Sequence, residues 1–142
     1  MAEFQAEPLL GCRVLVAEDD IILALDMKRL LENAGADVFG PVNTVVAAAD
    51  LAGTAPLTCA VLDVNLGSHL IFPAAHILRE RDIRTIFCTG YGDLQSLRAD
   101  WPEAQVLPKP VQPPDLIQAV QIAHQQTHAL LSSNPGRSKP LG

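Results

Sequence analysis

The chain has 142 residues, 49% of them hydrophobic and only 4% aromatic, which bounds it to one domain with a sizeable, mainly aliphatic core. A net charge of −6, with no Lys/Arg cluster, argues against a protein that binds nucleic acid through phosphate contacts. No apolar run approaches the length of a membrane span, and the first residues, Met1 to Glu7, are acidic without a long apolar core, so neither a span nor a secretory signal is expected.

Residues 1–10 read as a loose lead-in. Cys12 to Ala17 (CRVLVA) is a first strand that ends at Glu18-Asp19-Asp20. A helix over about 20–34 follows, because Leu23, Met27, Leu30, Leu31 and Ala34 fall on one stripe at helical period, and Gly35 is placed to end it. Asp37 to Gly40 is a short second strand that Pro41 breaks. Thr44 N-caps a second helix over about 45–53. The third strand, about 58–63, is an unbroken apolar run that stops at Asp63. A loop runs from Val64 to Phe72, and Pro73 opens a third helix over about 73–81. Thr85 to Cys88 is a fourth strand, followed by Thr89-Gly90-Tyr91-Gly92 and a short helix from about Asp93 to Asp100. Ala104 to Leu107 is a fifth strand, leading to Pro108-Lys109-Pro110. A last helix from about Pro114 to Leu131 carries an apolar stripe of Leu116, Val120, Ala123 and Leu130, and residues 132–142 read as a disordered tail.

The order is (βα)₅ in one domain over residues 11–131. Such alternation implies an α/β fold with a parallel sheet and helices on both faces. Cys12, Cys59 and Cys88 each lie in a strand-like run with no C-x-x-C spacing, so three buried free thiols in a reducing cytoplasm are expected.

A run buried on both faces cannot hold a charge at its centre, but at its C-terminal end a carboxylate reaches the crevice where open α/β sheets bind ligands. That singles out Asp63. The other strand ends supply Glu18, Asp19 and Asp20, then Thr89, then Lys109, all on one edge of a parallel sheet. Carboxylates gathered in one pocket repel one another unless a cation joins them, and oxygen-only ligands at an open site favour Mg²⁺. With Lys109 and Thr89 the set suits an incoming phosphoryl group: cations neutralise its oxygens, a hydroxyl donates to one, and a carboxylate attacks.

Over roughly residues 11–131 the chain resembles a response-regulator receiver domain. The matching pieces are VLVAEDD at 14–20, VLDVNLG at 61–67, FCTGYGD at 87–93 and VLPKP at 106–110. The resemblance implies the flavodoxin-like, doubly wound sheet with strand order 2-1-3-4-5. It implies Asp63 as phosphoacceptor. Asp19 and Asp63 would bind Mg²⁺, with the backbone carbonyl of Asn65, and Glu18 would act through water. Thr89, Lys109 and the backbone N–H groups of Asn65 and Gly90 would hold the phosphoryl oxygens, and a cis Lys109–Pro110 bond is expected. GPVNT at 40–44 and DVNL at 63–66 are similar to stand-alone bacterial receivers that work with histidine kinases. Three departures stand out. Val106 occupies the place of the usual Tyr, Phe or His, three residues before the lysine. Val111 replaces a frequent Phe. Pro108, directly before Lys109, cannot donate a ladder hydrogen bond, which predicts an early end to the fifth strand.

The reading is a cytoplasmic, single-domain response regulator in a two-component phosphorelay. It takes a phosphoryl group from a sensor histidine kinase or histidine phosphotransfer protein and signals to a downstream protein, or drains phosphate. It is not an enzyme beyond assisting its own phosphotransfer and slow autodephosphorylation. It binds neither nucleic acid nor membrane, and it is a monomer or weak homodimer. The rival is a receiver-fold interaction module independent of phosphorylation, which the missing aromatic at Val106 favours. An Asp-nucleophile phosphohydrolase typically has a second acid where Asn65 stands. Ile21, Ile22 and Leu25, off the core stripe of the first helix, are read as a partner-docking patch. Tyr91 is read as a gate that excludes the attacking water from the phosphoryl group. His124 and His128, spaced i,i+4, read as a solvated helix boundary rather than a metal grip, and His69 as an exposed loop residue. Gly90 and Gly92 make no G-x-G-x-x-G motif.

Overall fold

A computed structural model of the chain describes residues 7–90 and 93–133. Its elements in chain order are β1 (Arg13–Ala17), α1 (Ile21–Asn33), β2 (Asp37–Val42), α2 (Val45–Thr54), β3 (Cys59–Asp63), β4 (Asn65–Leu66), β5 (His69–Leu70), α3 (Phe72–Glu80), β6 (Arg84–Thr89), α4 (Leu94–Asp100), β7 (Gln105–Pro108) and α5 (Pro113–Ser133). Five strands form one sheet in the order β2-β1-β3-β6-β7, every pair parallel. Counted along the chain without the hairpin β4–β5, this is the expected order 2-1-3-4-5.

Alternation along the strands splits the core into two layers. Leu15, Ala60, Leu62 and Phe87 face α2, α3 and α4, packing with Ala48, Ala52, Leu78, Leu97 and Trp101. Val14, Val16, Val61, Ile86 and Cys88 face α1 and α5, packing with Leu31, Leu116, Ala119 and Ala123. Three of the four aromatics among the described residues gather in one place: the Trp101 ring lies 5.4 Å from Phe87 and 5.9 Å from Phe72. All three cysteines are free and buried, as the sequence predicts. Burial pushes each thiol up, that of Cys88 to about 12.

Several local expectations need correction. Pro41 does not break β2, which continues to Val42; the Gly40–Pro41 bond is cis and the register with β1 shifts between Leu15 and Ala17. β7 likewise runs through Pro108, opposite Thr89. Both are edge strands, where a missing N–H need not interrupt a ladder. The expected loop 64–72 contains the antiparallel hairpin β4–β5. In α1 the buried residues are Ala24 and Leu31, while Leu23, expected in the core, is exposed. At the ends, Leu9 is fully buried and its N–H donates to the Ala34 carbonyl at 2.8 Å, so this part of the lead-in is docked. α5 extends through Ser132 and Ser133, where the tail was expected to begin; residues 134–142 lie outside the described residues.

Candidate functional site

Parallel pairing brings the C-terminal ends of β1, β3, β6 and β7 to one edge. Ala17 pairs with Leu62, Asp63 with Cys88, and Thr89 with Pro108. Beyond the last pair the Lys109 N–H donates to the Thr89 carbonyl at 2.8 Å, which carries Lys109 to the same edge. Asp63 is 7% exposed, Glu18 2% and Thr89 1%, so the groups stand in a partly desolvated crevice. The Lys109–Pro110 bond is cis, as expected.

The Lys109 ammonium donates to Asp63 Oδ2 at 2.8 Å and to Glu18 Oε1 at 3.2 Å. The Asn65 N–H donates to Asp63 Oδ1 at 3.3 Å, so both oxygens of the expected phosphoacceptor have donors. Asp19 is exposed and accepts from the Gly67 N–H at 2.6 Å, which ties the β4–β5 turn to the end of β1. Among the described residues, Glu18, Asp19 and Asp63 each offer a carboxylate oxygen, all within 4.8 Å of one another. One ammonium among three carboxylates leaves negative charge uncompensated, and the donors are all hard oxygens. The set therefore fits a small divalent cation such as Mg²⁺.

Electrostatics follow from burial and these pairs. Burial pushes the Glu18 carboxyl above its ordinary range and the Asp63 charge adds to this, against the Asp20 N–H and Lys109. Burial alone would lower Lys109; the hydrogen bond from its ammonium to Asp63 and the charges of Asp63 and Glu18 outweigh it and raise it.

Asp20, though part of the acidic run, is not in this cluster. Its carboxylate N-caps α1, accepting from the N–H groups of Ile22 at 3.0 Å and Leu23 at 3.2 Å. Gly90 is exposed, and a Cβ built there meets nothing within 4 Å. Ile21, Ile22 and Leu25 are exposed on α1, at 72%, 70% and 48%. A groove of about 480 Å³ between α1 and the start of α5 is lined by Leu23 rather than by these three, with Met27, Val111 and Leu116 among others, and reaches Glu18 and Lys109. His69 is exposed on β5. His128 is exposed and His124 half-buried, their rings 6.1 Å apart, and burial then the His128 charge lower His124. Tyr91 and Gly92 lie outside the described residues.

Two contributors escaped the sequence reading. One is the Gly67 N–H that holds Asp19; a backbone donor leaves no trace in residue type. The other is Asp93, whose Oδ2 accepts from the Thr89 hydroxyl at 3.1 Å. Asp93 ends the FCTGYGD segment, where the sequence reading made it the start of the short helix over about Asp93 to Asp100 and gave it no role toward Thr89.

No protein-family model matches the chain, and no curated protein matches it. Solved structures do. A response regulator receiver protein from Sinorhizobium medicae is 25% identical, with TM-score 0.71, over 85% of this chain and 98% of that one. A response regulator receiver domain protein from Clostridium thermocellum is 22% identical, with TM-score 0.73, over 84% of this chain and 98% of that one. A Rhodopirellula baltica structure described as an adenylate cyclase is 20% identical, with TM-score 0.78, over 89% of this chain and 96% of that one. The chain thus has the fold of response regulator receiver domains over most of its length. A fold hosts more than one activity, so function has to be argued from the site.

Proposed function

We propose that this protein is a receiver that accepts a phosphoryl group on Asp63 from a phosphohistidine of a sensor kinase or phosphotransfer protein, in a bacterial cytoplasm. The observation that carries the reading is Asp63 itself. It is a nearly buried carboxylate at a strand end, held by Lys109 at 2.8 Å and clustered with Glu18 and Asp19. A purely structural aspartate has no need of two further acids and a buried-edge lysine around it.

An Asp63 oxygen attacks phosphorus in line with the donor's imidazole nitrogen. The P–N bond breaks as the P–O bond forms, and the electron pair stays on the imidazole, which takes a proton from solvent. Lys109 turns its ammonium from the two carboxylates toward the phosphoryl oxygens. The Thr89 hydroxyl and the N–H groups of Asn65 and Gly90 donate to the others. Asp19, Asp63 and the Asn65 carbonyl would hold Mg²⁺, with Glu18 through water; when bound, it supplies the positive charge that offsets the carboxylates and phosphoryl oxygens. The protein assists its own phosphotransfer and slow dephosphorylation and turns over no other substrate. Its output is a contact with a downstream protein, or the drainage of phosphate.

Acetyl phosphate with Mg²⁺, followed by intact mass, tests this. The parent is expected to gain one phosphoryl group and Asp63→Asn none. A parent that gains nothing would establish the rival, a receiver-fold interaction module independent of phosphorylation; an Asp63→Asn variant labelled like the parent would move the acceptor elsewhere.

A further inference from the structure

Val106 stands where the resemblance would place an aromatic, yet Thr89 is not idle. Its hydroxyl, 1% exposed as a residue, donates to Asp93 Oδ2 at 3.1 Å. Asp93 also occupies the N-cap position of α4, where its side chain makes no capping hydrogen bond. α3 also starts from a helical backbone without a side-chain cap, but its N-cap is Ile71, which has no acceptor to offer; α1 and α2 have polar caps and use them. Asp20 before α1 and Thr44 before α2 both have extended backbones (φ −79°, ψ 112° and φ −129°, ψ 154°), and both side chains accept from first-turn N–H groups. Asp93 has φ −101° and ψ −6° and spends its carboxylate on Thr89 instead. An aspartate at this position is among the preferred caps, so α4 is left with a cap that is present but diverted.

We infer that Asp93 is a positioning residue that alternates between two partners: it holds the Thr89 hydroxyl in the resting protein, and it caps α4 once that hydroxyl turns to a phosphoryl group on Asp63. The inference rests on the phosphoacceptor reading for its trigger but not for its mechanism, because removing the hydroxyl releases Asp93 in the same way. One donor O–H cannot serve both acceptors, and a dianionic phosphoryl group outcompetes a carboxylate for it. The freed carboxylate then finds the N–H groups of Gln95 and Ser96, the second and third residues of α4, with the backbone of Asp93 moving to the extended region that the Asp20 and Thr44 caps show. Trp101, the chain's single tryptophan, sits at the C-terminal cap of the same helix, its backbone N–H donating to the Leu97 carbonyl at 2.7 Å. A tightened α4 is therefore also visible to fluorescence.

Amide hydrogen exchange on the ¹⁵N-labelled full chain tests this. Without any phosphodonor, Thr89→Val, which keeps the buried shape, is expected to slow exchange of the Gln95 and Ser96 amides roughly fivefold, the size of a typical cap. Thr89→Ser, which keeps the hydroxyl, should match the parent. The double variant Thr89→Val/Asp93→Ala should lose the gain. With acetyl phosphate and Mg²⁺, the parent should show the same slowing together with a Trp101 fluorescence change. Asp93→Ala should gain the phosphoryl mass without either. Unchanged exchange in Thr89→Val, with Thr89→Ala in its place if the valine variant does not fold, overturns the inference. So does slowing that survives in the double variant. A parent that gains no phosphoryl mass, beside slowed exchange in Thr89→Val, overturns the phosphoacceptor reading and leaves the Asp93 exchange standing.

Discussion

Lys109 and Glu18 sit on opposite sides of the charge balance at Asp63, and exchanging either for a neutral side chain separates charge from packing. Lys109 is half-buried against two carboxylates, and its raised pKa means that the folded state favours the ammonium. That contribution is fully present below the ordinary lysine range and is lost as pH rises through the raised value. Lys109→Met should therefore destabilise the Mg²⁺-free protein by about 1–2 kcal/mol at neutral pH, the lower part of the range for charged hydrogen bonds because solvent screens the pair. Glu18 has the reverse character. Burial raises it, so its charged form at neutral pH opposes folding. Glu18→Gln should leave the Mg²⁺-free protein as stable as the parent or slightly more so, while weakening Mg²⁺ binding. Thermal melts of both variants with and without Mg²⁺ check the pair of signs. Equal losses in both would show that packing, not charge, governs the crevice. These roles were legible in sequence because each acid or base stands at a strand end. The diversion of Asp20 to the α1 cap was not, because three consecutive acids carry no label for which one turns back to the helix.

Elements were legible where periodicity had a phase and obscure where it did not. β3 reads over about 58–63 as a run buried on both faces, and its five residues, Cys59–Asp63, are all buried. The start of α1, Ile21 to Leu25, is wholly apolar, so no alternation marks the inward face. Ala24 turns inward and Leu23 outward, although Leu23 is the larger. β4 and β5 are two residues each, too short for any pattern. Pro41 and Pro108 read as breakers because sequence does not say which strands are edges. The bend that lets β2 continue depends on Gly40, at φ +107°, where an added Cβ would stand 2.7 Å from the Val16 carbonyl oxygen and 2.9 Å from the Val42 nitrogen. Gly67 also has positive φ, +61°, but nothing lies within 4 Å of a Cβ there. Gly40→Ala should accordingly cost about 3 kcal/mol or more, combining backbone strain with a backbone clash, and Gly67→Ala only about 1 kcal/mol. Urea denaturation of the two variants measures the gap; equal costs would mean that β2 accommodates the methyl group by shifting along the sheet edge.

At the scale of the whole molecule, the site and its surroundings form one surface. The four large apolar side chains exposed at the start of α1, Ile21, Ile22, Leu23 and Leu25, follow directly on the acidic run that supplies Glu18 and Asp19. The adjoining groove passes from Leu23 and Met27 to Val111 and Leu116 and ends at Glu18 and Lys109. A partner helix packed on the exposed α1 residues, beside this groove, would bring its own histidine to the mouth of the crevice. On the phosphohistidine-donor reading, docking and chemistry are then separable: the patch sets how well a kinase or phosphotransfer helix binds, while Asp63, Lys109 and Thr89 set what happens afterwards. A charge placed in an apolar interface must be desolvated without a partner. Ile22→Asp and Leu25→Asp should each weaken transfer from the protein donor by a factor of about ten to a hundred in kcat/KM, the range of a lost hot-spot side chain. Both positions are exposed in the free protein, so neither change should cost appreciable stability. A small phosphodonor does not depend on a docking face, so the rate at which acetyl phosphate labels Asp63 should stay within twofold of the parent's. The measurement is phosphotransfer from a phosphorylated donor beside labelling by acetyl phosphate, on the same variants and at the same Mg²⁺. Parallel losses with both donors would place the damage in the crevice, and unchanged transfer from the protein donor would place the docking face elsewhere on the molecule.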